Sequence, residues 1–268
     1  MQSLAKPLAI YNPGVYFNEY VEALAYVLRR RGYEVTVVTA LPLPPNNFYI
    51  MFGLCSSAVP APNTPYIAVQ LEQTSSMYFT PAYIEKLRGA VEVWDFSASS
   101  ISFLDKYGIK AHYVPLGKVP TPLTPLDSEA VDVVFLGVIN PHRKEIIEKL
   151  TAAGIEVKTS ASTFGSTKAQ LISRARIVLN LHYYPDATLE QLRVLPALAS
   201  GKLVISETSR DQQPMAEFGT GADEILALCQ KWLRVTPAER QKRALELLAQ
   251  IRNFNDIVPV ERIQKYVS

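Results

Sequence analysis

The sequence predicts an α/β protein built from two Rossmann-like domains that face each other across a cleft. Short apolar strands alternate with amphipathic helices along all 268 residues, which is the pattern of parallel sheets covered by helices. One segment, residues 115–127, interrupts this alternation with four prolines. The pattern restarts after it, and a chain of this length has room for about two domains of ordinary size.

The first half opens with a β-α-β unit. A strand at 7–11 is followed by a helix that starts near Asn18 and stops at Gly32, and then by a β-branched strand at 34–39. Apolar runs bounded by turn residues predict further strands at 48–52, 66–70, 91–96 and 110–116, with helices at 81–90 and 97–107.

The proline-rich segment is the predicted linker, because no helix survives that density of prolines. Beyond it we predict strands at 131–136, 155–158, 176–181 and 203–205, and helices at 141–153, 166–174, 189–200, 222–233 and 237–251. Residues 208–220 are expected to form a polar loop. The predicted domains are therefore 1–118 and 119–256, and a last helix within 257–268 is expected to pack back on the first domain.

Composition excludes several classes of function. A formal charge of +2 is too small to indicate a nucleic-acid or anionic-membrane partner. The two cysteines, Cys55 and Cys229, and the absence of a signal peptide or an apolar membrane span favour a cytoplasmic protein. The first βα turn contains Gly14 alone rather than a glycine-rich dinucleotide motif, and no metal-ligand spacing is present, so we expect neither a cofactor nor a metal.

The most informative pair of charges follows Gly137 and the predicted N-cap Asn140. Arg143 and Lys144 lie in the first turn of a helix, where the helix dipole disfavours a cation by about 0.3–1 kcal/mol. A bound anion would reverse that sign, and a diphosphate is the natural candidate. The alternative is a solvated basic surface neutralised by neighbouring glutamates. Either way, removal of these cations is expected to cost little stability.

Other polar residues cluster where strands end, the edge at which open α/β sheets bind ligands. Asn180 lies near the end of the strand predicted at 176–181, and His182 and Tyr183 follow it directly. Glu190 and Arg193 lie three residues apart on the following helix. A surface ion pair is the alternative for the last two. In the first half the corresponding residues are Asn12, Gly14, Tyr16, Asn18, Glu72 and Gln73, for which turn and cap chemistry is the alternative.

Taken together, these segments resemble the GT-B glycosyltransferases, and more specifically a compact branch of glycosyltransferase group 1. The resemblance covers nearly the whole chain and lies in Phe135–Gly137 with Asn140–Lys144, Arg176–Tyr184, Glu190–Arg193, Ser206–Glu207, Tyr66–Gln73 and Trp94–Ser97. It implies a hexosyltransferase-type enzyme that moves a sugar from a nucleotide-diphosphate sugar to an acceptor hydroxyl on a glycan or small molecule. Retention of anomeric configuration and independence from metal are also implied.

The resemblance also assigns roles to the candidate residues. The implied catalytic residues are Arg143, Lys144 and Glu190. The implied donor-binding residues are Gly137, Asn140, Asn180, His182, Tyr183, Arg193 and Glu207. The implied acceptor-binding residues are Asn12, Gly14, Tyr16, Asn18, Glu72 and Gln73.

One departure from the family weakens the assignment of a transferase. Many relatives have a second glutamate, which contacts ribose, where this chain has Pro196, so Glu190 or Glu207 would have to replace it. Two alternatives therefore stay open: a nucleotide-sugar epimerase that uses Glu72, Asp95 and Glu190, and a non-catalytic nucleotide-sugar-binding protein.

Overall fold

The computed structural model describes residues 7–118 and 129–267, which form two compact units. The first unit comprises residues 7–118 together with 253–267, and the second comprises 129–252. Most of the predicted linker falls between the two described ranges and therefore lies outside the described residues.

The first unit is a parallel sheet covered by helices. Its strands are β1 (Leu8–Tyr11), β2 (Val35–Val38), β3 (Phe48–Met51), β4 (Tyr66–Gln70), β5 (Glu92–Asp95) and β6 (Ala111–Tyr113). They run in the order β2-β1-β3-β4-β5-β6, with every neighbouring pair parallel. Every residue of β1 and β3 is buried, because these apolar strands lie in the interior of the sheet with helices above and below.

The helices of this unit are α1 (Asn18–Arg30), α2 (Pro81–Gly89) and α3 (Ala98–Asp105). Local sequence sets where they begin. Thr80 and Ser97 cap α2 and α3 by accepting a hydrogen bond from the backbone three residues ahead, and Pro81 supplies the preferred first residue. A 3₁₀ turn at Val15–Phe17 precedes α1, so Asn18 is its first residue rather than its N-cap.

The second unit has the same plan. Its strands are β7 (Val131–Leu136), β8 (Val157–Ser160), β9 (Ala175–Asn180), β10 (Leu203–Glu207) and β11 (Glu217–Gly219), parallel in the order β11-β10-β9-β7-β8. Its helices are α4 (Pro141–Ala152), α5 (Gly165–Arg174), α6 (Gln191–Ala199), α7 (Gly221–Arg234) and α8 (Pro237–Ala249). The α/β class predicted from the alternating pattern is confirmed.

Two elements of the second unit differ from the sequence expectation. Strand β11 lies within the predicted loop, because three residues paired along β10 are too short to leave a periodic signal. Helix α6 begins at Gln191 instead of Leu189, with Glu190 as its N-cap residue. Because of the later start, Glu190 precedes the first helical turn, and its carboxylate reaches Asn180 at the end of β9.

The C-terminal segment returns to the first unit and forms α9 (Val260–Val267). A buried carboxylate holds this helix: Glu92, 2% exposed, accepts from Arg262 at 2.8 Å and pairs with Lys265 at 2.7 Å. Burial alone would raise the pKa of Glu92, but hydrogen bonds from Lys265 and Arg262 lower it to about 2. The ring of Tyr266 also stacks on Phe48 at 5.0 Å. Helix α9 is thus fastened by both charge and packing.

We expect the Glu92→Gln variant to loosen α9, since hydrogen bonds to a charged group contribute about 1.5–3 kcal/mol. Trypsin should then cleave after Arg262 and Lys265 at least about fivefold faster than in the wild type. Glu85→Gln is the matched control, because Glu85 forms an exposed ion pair with Arg88 in the same unit. Equal cleavage rates in all three proteins would show that Glu92 does not hold the helix.

Among the described residues, no helix is both long enough and apolar enough to span a membrane.

Candidate functional site

The predicted donor-binding residues converge at the carboxyl edge of the second sheet. Strands β7, β9 and β10 are neighbours there, and each is followed by polar residues. The carboxyl ends of parallel strands meet at one edge, so residues that lie 38 to 65 positions apart in sequence contact one another there. The contacts among these donor-binding residues are all within the second unit.

Arg143 is buried in this cluster, with 3% of its side chain exposed. Its Nε and Nη2 atoms donate to the carbonyl oxygen of Leu181 at 3.0 and 2.6 Å, and Nη1 donates to that of Val138 at 2.7 Å. The guanidinium also lies over the rings of Phe135 and Tyr183, each at 5.1 Å. Arg143 therefore ties the loop after β7 to the loop after β9.

This burial corrects the expectation that loss of Arg143 would cost little stability. Burial, and then the charge of Arg193, lower the pKa of the Arg143 guanidinium to about 10, so it stays charged at neutral pH. A charged group in the interior is tolerated only because carbonyl oxygens and a carboxylate surround it. Its side chain acts as a structural support beneath the edge of the site.

Gly137 makes room for two guanidinium groups. A Cβ atom at this position would lie 3.2 Å from Nη2 of Arg193 and 3.4 Å from Nη1 of Arg143. It would also lie 3.1 Å from the ring of Phe135. Any larger residue would push the two arginines apart. Arg193 Nη1 donates to Asn180 Oδ1 at 2.6 Å, which fixes the arginine at the end of β9.

Glu190 is the central anion of the cluster. Its Oε2 atom accepts from Asn180 Nδ2 and from His182 Nδ1, both at 2.9 Å. Its Oε1 atom lies 3.5 Å from Arg193 and 3.6 Å from Arg143. Burial would raise the pKa of Glu190, but the charge of Arg193 and the hydrogen bond from His182 lower it to about 2. Both side chains are 19% exposed, so the predicted i,i+3 pair belongs to a partly buried network and is not a surface pair.

Both ring nitrogens of His182 face hydrogen-bond acceptors: Nδ1 meets Glu190, and Nε2 lies 3.1 Å from the carbonyl oxygen of Thr208. Only the doubly protonated imidazolium can donate to both. Burial opposes that charge, yet the hydrogen bond and charge of Glu190 outweigh it, so the pKa of His182 is raised above its ordinary value. His182 therefore adds positive charge to the site at mildly acidic pH.

Glu207 ends β10 and joins two histidines. Its Oε2 accepts from the backbone N–H of His182 at 2.7 Å, and its Oε1 lies 2.7 Å from Nε2 of His142. The side chain of Glu207 is 9% exposed, whereas that of His142 is 50% exposed. His142 was not among the site residues predicted from the sequence, although its position directly before Arg143 in the first turn of α4 was a usable signal.

Lys144 stands apart from the buried network. Its side chain is 65% exposed and lies 3.5 Å from that of Glu148 one turn later, a surface pair of the kind worth little. Of the backbone N–H groups in the first turn of α4, not all are free to bind an anion. Pro141 has no N–H, and the backbone N–H of Arg143 already donates to Asn140 Oδ1 at 2.9 Å. Asn140 also donates to the carbonyl oxygen of Tyr183 at 2.8 Å, so it braces the loop after β9.

The residues predicted to bind the acceptor lie at the carboxyl edge of the first sheet. Asn12 is buried and donates to Asn18 Oδ1 at 2.7 Å, and its own Oδ1 accepts from the backbone N–H of Gly14 at 3.3 Å. These bonds are the turn chemistry weighed as the alternative. Tyr16 is 68% exposed on the same turn.

Glu72 and Gln73 follow β4, which is separated from β1 by β3. Glu72 is partly exposed, and its Oε1 accepts from the backbone N–H of Gln73 at 3.1 Å. The sheet therefore places all six predicted acceptor residues on one edge but in two separate loops.

No protein-family model matches the sequence, and no curated protein matches it at a significant level. Solved structures do match. AviGT4, a glycosyltransferase involved in avilamycin A biosynthesis, is 14% identical with a TM-score of 0.58, and the match covers 98% of this chain and 97% of that one. A mutant of S. aureus TarM in complex with fondaparinux, α-GlcNAc-glycerol and UDP is 12% identical with a TM-score of 0.57 over 83% of this chain.

The match covers 56% of the TarM chain, so this protein spans little more than half of that structure. The UDP-GlcNAc 2-epimerase of Neisseria meningitidis, bound to UDP-GlcNAc, is 12% identical with a TM-score of 0.50. That match covers 97% of this chain and 98% of the epimerase. At these identities the likeness concerns the fold. The two parallel α/β units and these matches confirm that the chain has the GT-B glycosyltransferase fold.

Proposed function

We propose that the protein is a nucleotide-sugar glycosyltransferase whose second unit binds the nucleotide-diphosphate sugar at the edge formed by β7, β9 and β10. One observation carries this proposal. Two guanidinium groups, Arg143 and Arg193, and the imidazole of His182 face two carboxylates, Glu190 and Glu207, in one hydrogen-bonded network. Protonation of His182, whose pKa is raised, makes this set of side chains net positive at a ligand-binding edge, which suits a diphosphate.

Within this proposal the side chains have different tasks. Lys144 and Arg193 are accessible enough to contact the diphosphate and stabilise the negative charge that develops on it as the glycosidic bond breaks. Arg143 holds the loop after β7 against the loop after β9 through its hydrogen bonds to both. Glu190 orients Arg193 and His182, and Asn140, Asn180 and Tyr183 complete the wall of the donor site.

The first unit supplies the acceptor site in this proposal, through the loops after β1 and β4. We further propose that transfer needs no metal and retains anomeric configuration, as in the family that the sequence resembles. Mixing the protein with a panel of nucleotide sugars, with and without EDTA, tests this directly. Free nucleoside diphosphate should appear in both conditions, and loss of activity with EDTA that Mn²⁺ or Mg²⁺ restores would refute metal independence.

The likeness to an epimerase makes the second candidate specific. An epimerase of this plan needs several carboxylates that can take up and release protons. Of the three named above, Asp95 is 1% exposed and Glu190 is bound to two arginines and His182, which leaves Glu72 as the accessible one. This favours the transferase. The same incubation separates the two, because proton NMR of the recovered sugar nucleotide detects an inverted stereocentre only for the epimerase.

We expect Lys144→Ala to weaken binding of UDP or GDP about ten- to hundredfold, the value of one charge-assisted hydrogen bond to phosphate. Its melting temperature should be unchanged, because its pair with Glu148 is exposed. Isothermal titration of each diphosphate measures the affinity.

Lys149→Ala is the control for this experiment, since Lys149 lies near the opposite end of α4 and pairs with Asp223 at 2.6 Å. It should bind the diphosphates as the wild type does. Equal loss of affinity in both variants would mean that general charge, and not the start of α4, governs binding.

A further inference from the structure

A buried side chain at the end of β4 fixes the backbone of Glu72. Gln70 is fully buried, and its Nε2 donates to the carbonyl oxygen of Glu72 at 2.8 Å. Its Oε1 accepts from the backbone N–H of the same residue at 2.6 Å. One amide side chain thus holds both backbone polar groups of Glu72, so the start of this loop has a single conformation.

Three further buried groups fix Gln70 itself. Tyr83 donates its hydroxyl to Gln70 Oε1 at 2.9 Å, and Asp95 Oδ2 accepts from Gln70 Nε2 at 3.2 Å. Ser100 Oγ donates to the same Asp95 oxygen at 2.6 Å and lies 3.1 Å from Gln70 Nε2, so Glu72, Asp95 and Ser100 share the two N–H groups of Gln70. Each of these residues is at most 2% exposed. The network determines that Nε2 meets the carbonyl oxygen of Glu72 and that Oε1 meets its N–H.

The neighbouring loop, after β3, is fixed from the other side. Lys86 of α2 donates to the carbonyl oxygens of Leu54 and Ser56 at 3.1 and 2.9 Å, and so braces the segment that carries Cys55. Burial and the nearby Glu72, to which the thiol is hydrogen-bonded, raise the pKa of Cys55 to about 12. The Glu72 carboxylate therefore lies beside the Cys55 segment, which Lys86 braces.

A turn does not require an arrangement of this kind. A buried polar network lowers stability unless every member is paired, and this one contains a buried aspartate that accepts from Gln70, Ser100 and the backbone N–H of Ser97. The network fixes the backbone of Glu72, whose carboxylate is partly exposed at the surface. Such pre-organisation is typical of groups that contact a ligand.

We propose that Gln70, supported by Asp95, Ser100 and Tyr83, is a positioning residue that presents the Glu72 carboxylate to a hydroxyl group of the acceptor. A carboxylate accepts a strong hydrogen bond from such a hydroxyl and orients its oxygen. The assignment of the acceptor rests on the proposed transferase function, whereas the positioning of Glu72 by Gln70 does not.

The positioning is tested through Cys55, whose thiol reports on Glu72. We expect iodoacetamide to modify Cys55 at least about threefold faster at pH 8.5 in Glu72→Gln and in Gln70→Leu, because a displaced or neutral Glu72 no longer suppresses the thiolate. Peptide mass spectrometry separates Cys55 from the buried Cys229. Tyr49→Phe is the control, since it removes one hydroxyl bond, to Pro44, elsewhere in the same sheet.

Tyr83→Phe provides a milder variant if Gln70→Leu does not fold, and it should give a smaller increase in the same direction. A wild-type rate in the folded Gln70 or Tyr83 variant, together with a faster rate in Glu72→Gln, would overturn the positioning role.

Donor hydrolysis tests the role toward the acceptor, with water as the probe nucleophile. Glu72→Gln and Gln70→Leu should each lower kcat about tenfold and leave the KM for the donor within about twofold. An unchanged kcat, or a change confined to KM, would overturn the assignment. If the wild-type protein hydrolyses no nucleotide sugar, the proposed function and the acceptor assignment both fail, and the alkylation rates still decide whether Gln70 positions Glu72.

Discussion

The Arg143→Ala variant is expected to lose about 3–5 kcal/mol of unfolding free energy, a large fraction of the stability of a typical domain. The substitution leaves the carbonyl oxygen of Val138 without its guanidinium donor and that of Leu181 with only the longer bond from Arg193 at 3.4 Å. It also removes a cation 3.6 Å from Glu190 and leaves a gap against the ring of Phe135. Urea denaturation followed by circular dichroism measures the loss as a lower midpoint.

Two companion variants identify the cause. Arg143→Lys keeps the charge, but one ammonium group cannot reproduce the planar fork that reaches two carbonyl groups, so most of the loss should remain. Lys144→Ala removes the adjacent, exposed charge and should change the unfolding free energy by less than about 0.5 kcal/mol. A wild-type midpoint for Arg143→Ala would contradict the buried position of this arginine.

The Glu190→Gln variant is expected to lose a similar amount, about 3–5 kcal/mol, and the loss should depend on pH. The substitution keeps the shape of the side chain but leaves Arg143, Arg193 and His182 without their shared carboxylate. Chemical denaturation at a series of pH values from 3 to 9 measures the effect. Glu145→Gln, an exposed acid on α4, is the control and should follow the wild type throughout.

The direction of the pH dependence follows from the two pKa shifts. The pKa of Glu190 is lowered from 4.5 to about 2 in the folded protein, so its contribution is complete above pH 4.5 and is lost as the pH falls toward 2. The pKa of His182 is raised from 6.5, so its contribution is complete below pH 6.5 and is lost as the pH rises through the raised value.

The two windows overlap between about pH 4.5 and 6.5, where wild type and Glu190→Gln should differ most. In the variant, burial of His182 is no longer offset by its carboxylate, so its pKa should fall and protonation should destabilise the folded state. Stability of the variant should therefore decrease from pH 7 to pH 5, while that of the wild type does not. Parallel curves for the two proteins would contradict the His182–Glu190 pairing.

The sequence by itself determined the order of the strands and helices, except for the short strand β11. Buried strands such as β7 and β9 are continuous apolar runs, and the caps of α2, α3, α4 and α8 lie in local motifs that need no tertiary context. Because strands followed by crossover helices pair in parallel, the sequence also determined that polar residues after each strand collect at one edge. The candidate donor residues were found in this way.

Only the tertiary structure decided which of the adjacent charges Arg143 and Lys144 lies inside. The two residues are neighbours in sequence but differ by about 100° around α4, and Arg143 shares the buried face with Ile146 and Leu150. The spacing of three and seven residues from Arg143 to Ile146 and Leu150 is visible in the sequence. A guanidinium group stays buried, however, only where hydrogen-bond acceptors surround it, and here these are carbonyl oxygens from the loops after β7 and β9. Those partners come from distant segments, so the folded geometry, and not the local pattern, sets the energy of the charge.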